Sequence, residues 1–386
     1  MNDTQPVMES GAFFVALPDS PDAGRLVHLL LPRTNLHILH PSGRPWILGR
    51  VSSDEVVTAA AGSSQAALIG HPLATEAHLE RLVGQLSSAR DGVDVSPRFA
   101  GSFCTLVSVD GETYASGPAA ESRRIVSARM DGVHVVADRA DVLAELGSLA
   151  IDEAALVMRM LGSLPHPLAN ESIWRGVHLL PGDQYLIVSE SGRRTSIGTW
   201  WSVPEPHLSR EAGATALRHA MDDAVAARTH GGRQIACDLS GGLDSTPLCY
   251  FAAHGPSGVL ARTLYHEDPG GQEDLRWAQR AVGSMPGVHT HLVHSTDEFE
   301  EFYEGVENVG APMDEPTQAI TAGPRIRQLL ADDQRRGVSV HLNGFGGDHI
   351  LRGVPVWEHT LARRRPWLAW RRARSIHIPS RVRAHV

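Results

Sequence analysis

The chain has 386 residues, 42% of them apolar, and this length and composition accommodate two globular domains. Its formal net charge of −9 argues against general nucleic-acid binding, and no apolar run reaches the length of a membrane span. We therefore expect neither nucleic acid nor a membrane as a partner. The N-terminus has no basic start followed by an apolar stretch, and the three cysteines show no paired spacing, so a cytoplasmic location is predicted. All 35 basic residues are arginine, so no reaction step can use a lysine ammonium.

The first 200 residues contain many short apolar runs separated by turn signals, which predicts a domain built mainly from β-strands. Asp-Gly pairs at 110–111 and 131–132 are typical of hairpin turns. The predicted strands include 13–17, 26–31 and 102–107, and helices are expected near 74–87, 139–147 and 152–161.

A linker is predicted over residues 203–212, because Pro204 and Pro206 follow Trp201 and stiffen the chain. Ser209 is suited to cap a helix that continues to about Arg228. We therefore expect one domain over residues 1–202 and a second over residues 213–386.

A glycine turn joins a strand to a helix in the middle of the chain. A short apolar run that begins at Ile235 predicts a buried strand, and an apolar helical pattern begins near Leu248, after Gly241 and Gly242. Backbone N–H groups in such a turn, together with a helix N-terminus, favour a phosphate group. Asp244 would repel a bare phosphate, so its expected role is to bind Mg²⁺ between its carboxylate and the phosphates. No Gly-Lys-Ser/Thr follows the glycines, which excludes a Walker A loop.

Strands and helices alternate after this turn. The strands are predicted at 259–265, 288–293 and 338–342, and the helices at 272–283, 297–307 and 320–336. Alternation of this kind predicts an α/β domain with a parallel sheet covered by helices on both faces, and such folds bind ligands at the carboxyl ends of the strands. His289 and His291 share a strand face without a third ligand nearby, which favours a structural role over a metal site.

A second glycine-rich strand end follows the strand at 338–342. It has the sequence Asn343-Gly344-Phe345-Gly346-Gly347-Asp348-His349. If this loop and the first one are adjacent, Asp244 and Asp348 can share a metal ion bound to ATP.

The first loop, Ser240-Gly241-Gly242-Leu243-Asp244-Ser245, resembles the pyrophosphate loop of the asparagine synthetase family, whose members split ATP into AMP and pyrophosphate. The second loop is similar to the second ATP motif of that family. The resemblance implies an adenine-nucleotide α-hydrolase-like fold for residues 213–386. It also implies roles for individual residues: adenosine contacts from Leu239, the backbone near Tyr265, and Gly344; pyrophosphate contacts from Ser240, Gly241, Gly242, Asp244 and Ser245; and Mg²⁺ binding by Asp244 and Asp348.

A further run, Asp314-Glu315-Pro316, is similar to a family segment that lines the site. The alternative interpretation is that Asp314 and Glu315 form an ordinary solvated loop pair. The residues alone leave both open.

The N-terminal half resembles the glutaminase domain that precedes the synthetase domain in this family. The matching segments are 99–103, the hairpin that ends at Val136-Ala137-Asp138-Arg139, and 172–183. They imply an Ntn-hydrolase-like α+β fold for residues 1–202. Glutaminase domains of this type use a cysteine exposed by removal of Met, whereas Asn2 follows Met1 here, and an amide cannot attack a carbonyl as a thiolate does. We therefore predict a degenerate glutaminase-like domain with a structural or peptide-binding role.

Two positions of the second loop argue against ammonia as the nucleophile. Phe345 stands where ammonia-using members have a glutamate that assists proton loss, and phenylalanine cannot accept a proton. His349 also replaces a usual glutamate. Few residues follow Asp348, so we expect the second domain to be truncated at its C-terminus, which puts the competence of this form in question.

Within the family, the chain is most similar to the lasso-peptide macrocyclases. This resemblance implies that ATP adenylates an Asp or Glu side chain of a precursor peptide and that the N-terminal amine of the peptide closes the ring. It implies ATP and Mg²⁺ as cofactors, and a leader protease and a leader-recognition protein as partners besides the precursor peptide. Two alternatives stay open, a ligase of β-lactam-synthetase type acting on a small molecule and a truncated peptide-binding scaffold without catalysis.

Overall fold

The computed structural model describes Met8 and residues 11–160, 170–230, 232, 234–308, 313–347, 356–371 and 374. These residues form two compact units. The first contains the described residues up to Ala220 together with Glu300–Gln328, and the second contains Met221–Phe299 and the described residues from Leu329 onward. The domain limits at 1–202, 203–212 and 213–386 stay a prediction, and they differ from these units chiefly in the assignment of residues 300–328.

Two antiparallel sheets make up most of the first unit. Its strands are β1 (Phe13–Ala16), β2 (Leu36–Leu39), β3 (Pro45–Arg50), β4 (Val56–Ala61), β5 (Ser64–Leu73), β6 (Ala100–Val109), β7 (Glu112–Ser116), β8 (Ile125–Met130), β9 (Val133–Ala137), β10 (Val177–Leu180), β11 (Gln184–Val188) and β12 (Thr195–Thr199). Its helices are α1 (Gly24–Leu30), α2 (Glu76–Val83), α3 (Ala140–Gly147) and α4 (Glu153–Met160). The strand orders are β10-β8-β9-β1-β3-β2 and β12-β11-β7-β6-β5-β4.

The two sheets pack face to face and helices cover their outer faces. Phe14 and Trp46 of one sheet and Ile69 and Leu106 of the other lie in a shared apolar core. Helices α1 and α3 pack on the outer face of the first sheet, and α2 packs on that of the second. This four-layer αββα arrangement confirms the α+β architecture predicted for the N-terminal half.

The strand predicted at 26–31 is wrong, because this segment belongs to helix α1. Ser20 caps a short 3₁₀ turn that begins with Pro21 and leads directly into the helix. Leu26 and Leu30 are four residues apart and both fully buried, as expected for one face of a helix. A continuous apolar run does not distinguish a buried strand from a buried helix.

The second unit is built around a parallel sheet. Its strands are β13 (Ile235–Asp238), β14 (Val259–Tyr265), β15 (Val288–Ser295) and β16 (Val340–Leu342), in the order β15-β14-β13-β16. The remaining helices are α5 (Arg210–Thr229), α6 (Ser245–Ala253), α7 (Pro269–Val282), α8 (Gly323–Arg335) and α9 (Val356–Arg364). The α/β fold class predicted for this half is confirmed. The helix predicted at 297–307 is wrong, since only short 3₁₀ turns occur there.

The order of the strands reverses at β13. Strand β13 pairs in parallel with β14 on one side and with β16 on the other. Ligands of open α/β sheets bind at the carboxyl ends of the strands where the order reverses, and here those ends are followed by residues 239–244 and 343–347. Among the described residues, no helix has the length and apolar content needed to cross a bilayer.

Candidate nucleotide site

The first loop connects the end of β13 to the start of α6 and needs a glycine at 241. Gly241 has φ = +79°, and a Cβ atom there would lie 2.7 Å from the Asp274 carbonyl oxygen and 2.7 Å from Cβ of Trp277. Both the backbone conformation and the lack of space therefore exclude a side chain. The glycine allows the loop to pass close to α7.

Two serine hydroxyls stabilise this loop through hydrogen bonds within it. The Ser240 and Ser245 hydroxyls lie 2.8 Å apart, and the Ser240 amide donates to the Ser245 hydroxyl at 3.0 Å. The Gly242 amide donates to the Ser240 hydroxyl at 3.2 Å. These bonds fix the turn before α6 begins, so both predicted pyrophosphate-binding serines also support the loop itself.

The base of the loop is held by residues of β14 and β15. The Leu239 amide donates to the Arg262 carbonyl at 2.7 Å, and the Thr263 hydroxyl donates to the Leu239 carbonyl at 2.6 Å. Because Thr263 uses its only proton in this bond, the ring nitrogen of His291 at 2.8 Å must donate to Thr263. Burial lowers the pKa of His291, which favours the neutral ring. Leu239 is fully buried and both its backbone polar groups are bonded, so the adenosine contact implied for it stays a prediction.

The second loop contacts the first. A Cβ atom on Gly344 would lie 2.6 Å from the Ser245 amide nitrogen, and a Cβ atom on Gly347 would collide with Oδ1 of Asp244. The Phe345 amide donates to the Asn343 side chain at 3.1 Å, which tightens the turn. The two glycine-bearing loops therefore converge, which is the condition that sequence analysis set for a shared metal ion. Asp348 lies outside the described residues.

The predicted site residues within residues 239–245 and Gly344 are brought together at one edge of the sheet. Tyr265 ends the neighbouring strand β14, and its hydroxyl donates to the Glu267 carboxylate at 3.1 Å, which raises the pKa of Tyr265. Two large apolar side chains project from the loop tips: Leu243 is 91% exposed and Phe345 is 90% exposed. They leave an apolar surface beside the candidate phosphate site.

The residues present fit a magnesium–nucleotide complex. The glycines remove side chains where the backbone of the two loops must be close, and the Asp244 carboxylate lies where they meet. One or two carboxylates together with substrate phosphates are a usual ligand set for Mg²⁺. Within the described residues, no cluster of three or more His, Cys, Asp or Glu side chains forms a metal site without such phosphates.

Asp314 and Glu315 are packed within the first unit. The Asp141 amide donates to Asp314 Oδ1 at 2.8 Å, and Trp174 Nε1 donates to the Asp314 carbonyl at 3.3 Å. Burial and the neighbouring carboxylates raise the pKa of Asp314 to about 6. Glu315 is buried and pairs with Arg124 at 3.3 Å and Arg159 at 3.1 Å. The solvated-pair interpretation is therefore wrong for Glu315, while a role of this segment in lining the site stays a prediction.

The described cysteine of the first unit is not poised for catalysis. Cys104 is buried, its thiol faces the Arg124 carbonyl at 3.7 Å, and burial raises its pKa far above neutrality. The nucleophilic form of cysteine is the thiolate, which this environment disfavours. Nearby Asp138 is partly buried, and desolvation of its carboxyl group raises its pKa to about 7 although the Phe14 amide donates to it at 2.9 Å.

Sequence analysis missed an ionised cluster beneath the two loops. It consists of Asp238, Arg262, Asp332, Asp333 and His341. The one signal in the sequence is Asp238, a charged residue that ends an otherwise apolar strand. Its partners become apparent only when the strand order is known.

Residues 216–386 match the family model described as Asparagine synthase. This match supports the family that the two loop motifs indicate. Curated relatives from Mycobacterium bovis and Mycobacterium tuberculosis, with a provisional description as asparagine synthetase (glutamine-hydrolyzing), are each 25% identical over 147 residues. The aligned stretch is 37% of this chain and 21% of each relative. The chain thus spans about a fifth of the length of the curated relatives it matches.

Solved structures show only distant likeness. Glutamine phosphoribosylpyrophosphate amidotransferase from B. subtilis, complexed with ADP and GMP, has 9% identity and a TM-score of 0.30, covering 88% of this chain and 86% of that chain. Glutamine-dependent NAD⁺ synthetase from Acinetobacter baumannii, complexed with ADP, has 16% identity and a TM-score of 0.26, covering 46% and 33%. Likeness at this level carries no conclusion about function, and the fold rests on the sheets described above.

Proposed function

We propose that this protein is an ATP-dependent, AMP-forming amide ligase of the lasso-peptide cyclase type. It activates an Asp or Glu side-chain carboxylate of a precursor peptide and joins it to the N-terminal amine of the same peptide. The observation that carries the proposal is the contact between the two loops, in which Gly344 packs on Ser245 and Gly347 packs on Asp244. The asparagine synthase match over residues 216–386 supports it.

The proposed reaction has two steps. A carboxylate oxygen of the peptide attacks the α-phosphorus of ATP and displaces pyrophosphate, which gives an acyl adenylate. The neutral peptide amine then attacks the acyl carbon and releases a proton to the solvent, and AMP leaves as the amide bond forms. Activation is required because the carboxylate is a poor electrophile with a poor leaving group. Folding both groups of one peptide into the site makes ring closure effectively unimolecular, which is worth roughly 7–11 kcal/mol of barrier.

Residues of the two loops supply binding and charge in this proposal. The first loop and the N-terminus of α6 would hold the pyrophosphate, and Asp244 with Asp348 would hold Mg²⁺. Bound Mg²⁺ supplies neutralisation of the negative charge that develops on the phosphate oxygens. The protein positions these groups before the peptide reacts.

A peptide substrate is favoured over free aspartate by the surface beside the loops. Phe345 takes the place of a proton-accepting glutamate and is exposed together with Leu243. Apolar side chains of this size contribute binding energy by covering apolar parts of a substrate, which a folded peptide offers and free aspartate does not. A leader protease and a leader-recognition protein are proposed as partners that prepare the peptide.

The test is exchange of radiolabelled pyrophosphate into ATP. The probe peptides are the products of short open reading frames beside the gene, with any leader removed. We expect exchange only when the peptide is present, and we expect Asp244→Ala to reduce it about a hundredfold or more because charge stabilisation by the metal is lost. Asp222→Ala is the matched control, since Asp222 is an exposed carboxylate of α5, and it should keep the wild-type rate.

Each competing function predicts a different outcome. Exchange with free aspartate, and product formation from added ammonia, would replace the peptide with a small-molecule substrate. Tight peptide binding without any release of AMP would indicate a non-catalytic scaffold. Equal exchange in the Asp244→Ala and Asp222→Ala variants would contradict the assignment of the site.

A further inference from the structure

The ionised cluster beneath the loops joins three strands to helix α8. His341, in the middle of β16, places Nε2 2.9 Å from Asp238 Oδ1 and Nδ1 2.6 Å from Asp333 Oδ2. Arg262 of β14 places Nη2 2.6 Å from Asp333 Oδ1 and 3.0 Å from Asp332 Oδ2. Asp238 lies opposite Arg262 in the parallel register, which is consistent with both facing α8.

The geometry requires a doubly protonated imidazole. Each ring nitrogen of His341 faces a carboxylate oxygen, and a carboxylate can only accept, so both nitrogens must carry hydrogen. In a neutral ring one nitrogen has no hydrogen, and its lone pair would face a carboxylate oxygen, which is repulsive. Little solvent can relieve this conflict on the Asp333 side, because the side chains of His341, Asp333 and Arg262 are 14%, 4% and 1% exposed, whereas the Asp238 side chain is 39% exposed. Imidazolium is therefore the form that fits.

The groups of the strands and of α8 that face His341 are three carboxylates and one guanidinium, an excess of negative charge that favours a protonated ring. In the described residues they are Asp238 from β13, Arg262 from β14, and Asp332 and Asp333 from α8. Arg335 and Arg336 also pair with Asp332. Burial by itself lowers the pKa of His341, but its hydrogen bonds to Asp238 and Asp333 outweigh that effect and raise it.

The position of His341 links it to both loops. The β13–β16 pairing ends at Cys237 and Leu342, so Asp238 lies just beyond the backbone hydrogen bonds. The Asp238–His341 bond therefore extends the connection of the two strands to the point where the first loop starts. His341 lies only two residues before Asn343, where the second loop starts.

We propose that protonated His341 is a positioning residue that holds the two glycine-bearing loops in contact and makes nucleotide binding depend on pH. This inference rests on the proposed function for its biological meaning. The sign follows from the raised pKa of His341: the stabilisation is complete at acidic pH and is lost as the pH rises through the pKa of the folded state. Nucleotide affinity should therefore fall as the solution becomes alkaline.

The experiment measures the dissociation constant of Mg–ATP for the full chain by calorimetry from about pH 6 to about pH 9. For the wild type we expect affinity to fall about tenfold along one titration, and for His341→Gln we expect weak binding that does not vary with pH. His289→Gln is the control, because His289 is an exposed histidine of β15, and it should follow the wild type. Equal pH profiles for wild type and His341→Gln would overturn the proposal.

A second variant separates positioning from a merely structural role. Asp238→Asn keeps an oxygen that accepts from His341 Nε2 but removes one negative charge. We expect the midpoint of the pH profile to move to lower pH by about one unit, because an opposite charge near the ring is lost. An unchanged midpoint would contradict the proposal.

A measurement made without nucleotide tests this inference independently of the proposed function. Amide protection factors in residues 239–245 and 343–347, measured by hydrogen exchange, should fall with rising pH in the wild type and be low throughout in His341→Gln. If the wild type binds no Mg–ATP at any pH, the proposed function fails while these protection factors still decide the role of His341. Protection that is the same in both proteins would refute it.

Discussion

Single residues determine how closely the two loops approach each other. Gly241 must be a glycine for its positive φ and for its contact with α7, whereas Gly344 and Gly347 must be glycines because they pack on Ser245 and Asp244. Close packing excludes a side chain at all three positions, and at Gly241 the positive φ adds a second reason. The glycines of the two motifs are therefore part of the packing of the second unit as well as of phosphate binding.

Gly241→Ala should destabilise the second unit by about 1–3 kcal/mol, because an L-residue at positive φ is strained and the new Cβ overlaps α7. Gly242→Ala is the matched control: its Cβ would meet only the Ser240 hydroxyl at 3.2 Å, so we expect a change below about 1 kcal/mol. Urea denaturation of the two variants measures the difference. Similar midpoints would show that the loop relaxes around the extra carbon.

Residues of the candidate site could be predicted where a local motif carries them. Ser240, Asp244 and Gly344 lie in short runs whose chemistry is apparent without a fold. His341 and Asp238 could not be paired in this way, because they are 103 residues apart and meet only through the neighbouring positions of β13 and β16. Contacts that depend on strand order are not encoded in local sequence.

At the scale of elements, strand–helix alternation and turn signals were sufficient to predict most strands. Apolar content without hydrophobic periodicity led to a wrong prediction. The segment 26–31 contains an unbroken apolar run, which fits either a strand or a buried helix, and tertiary packing selects the helix α1. Strand β14 agrees with its predicted bounds because it is bounded by a turn at 255–258 and by polar residues after Tyr265.

Strand β14 is attached to α8 by a buried ion pair whose loss should be costly. Arg262→Met leaves Asp332 and Asp333 without their shared buried cation, so we expect a loss of about 3–5 kcal/mol in the stability of the second unit. Hydrogen exchange in β13, β14 and β16 measures this loss. Arg335→Met is the control: Arg335 is largely exposed and lies 3.4 Å from Asp332, and surface pairs contribute at most about 1 kcal/mol. A small effect of Arg262→Met would mean that solvent replaces the lost cation.

For the whole molecule, the course of the chain differs from a simple succession of two domains. Residues 300–328 follow β15 in sequence yet group with the first unit. Sequence analysis placed this segment in the second domain, because helical periodicity at 320–336 reports local structure and not the partner on which a segment packs. The contacts of Asp314 and Glu315 explain the grouping, since their partners Arg124, Asp141 and Arg159 all belong to the first unit.

Glu315 is the residue on which this grouping should depend most strongly. Its side chain is 6% exposed and accepts from Arg124 and Arg159, so Glu315→Gln removes the charge that both guanidinium groups share. We expect a loss of about 2–3 kcal/mol, seen as faster hydrogen exchange and proteolysis within residues 300–328. Glu301→Gln, at an exposed position of the same segment, should leave both rates unchanged. Equal rates in the two variants would show that apolar packing, rather than the Glu315 ion pairs, retains the segment in the first unit.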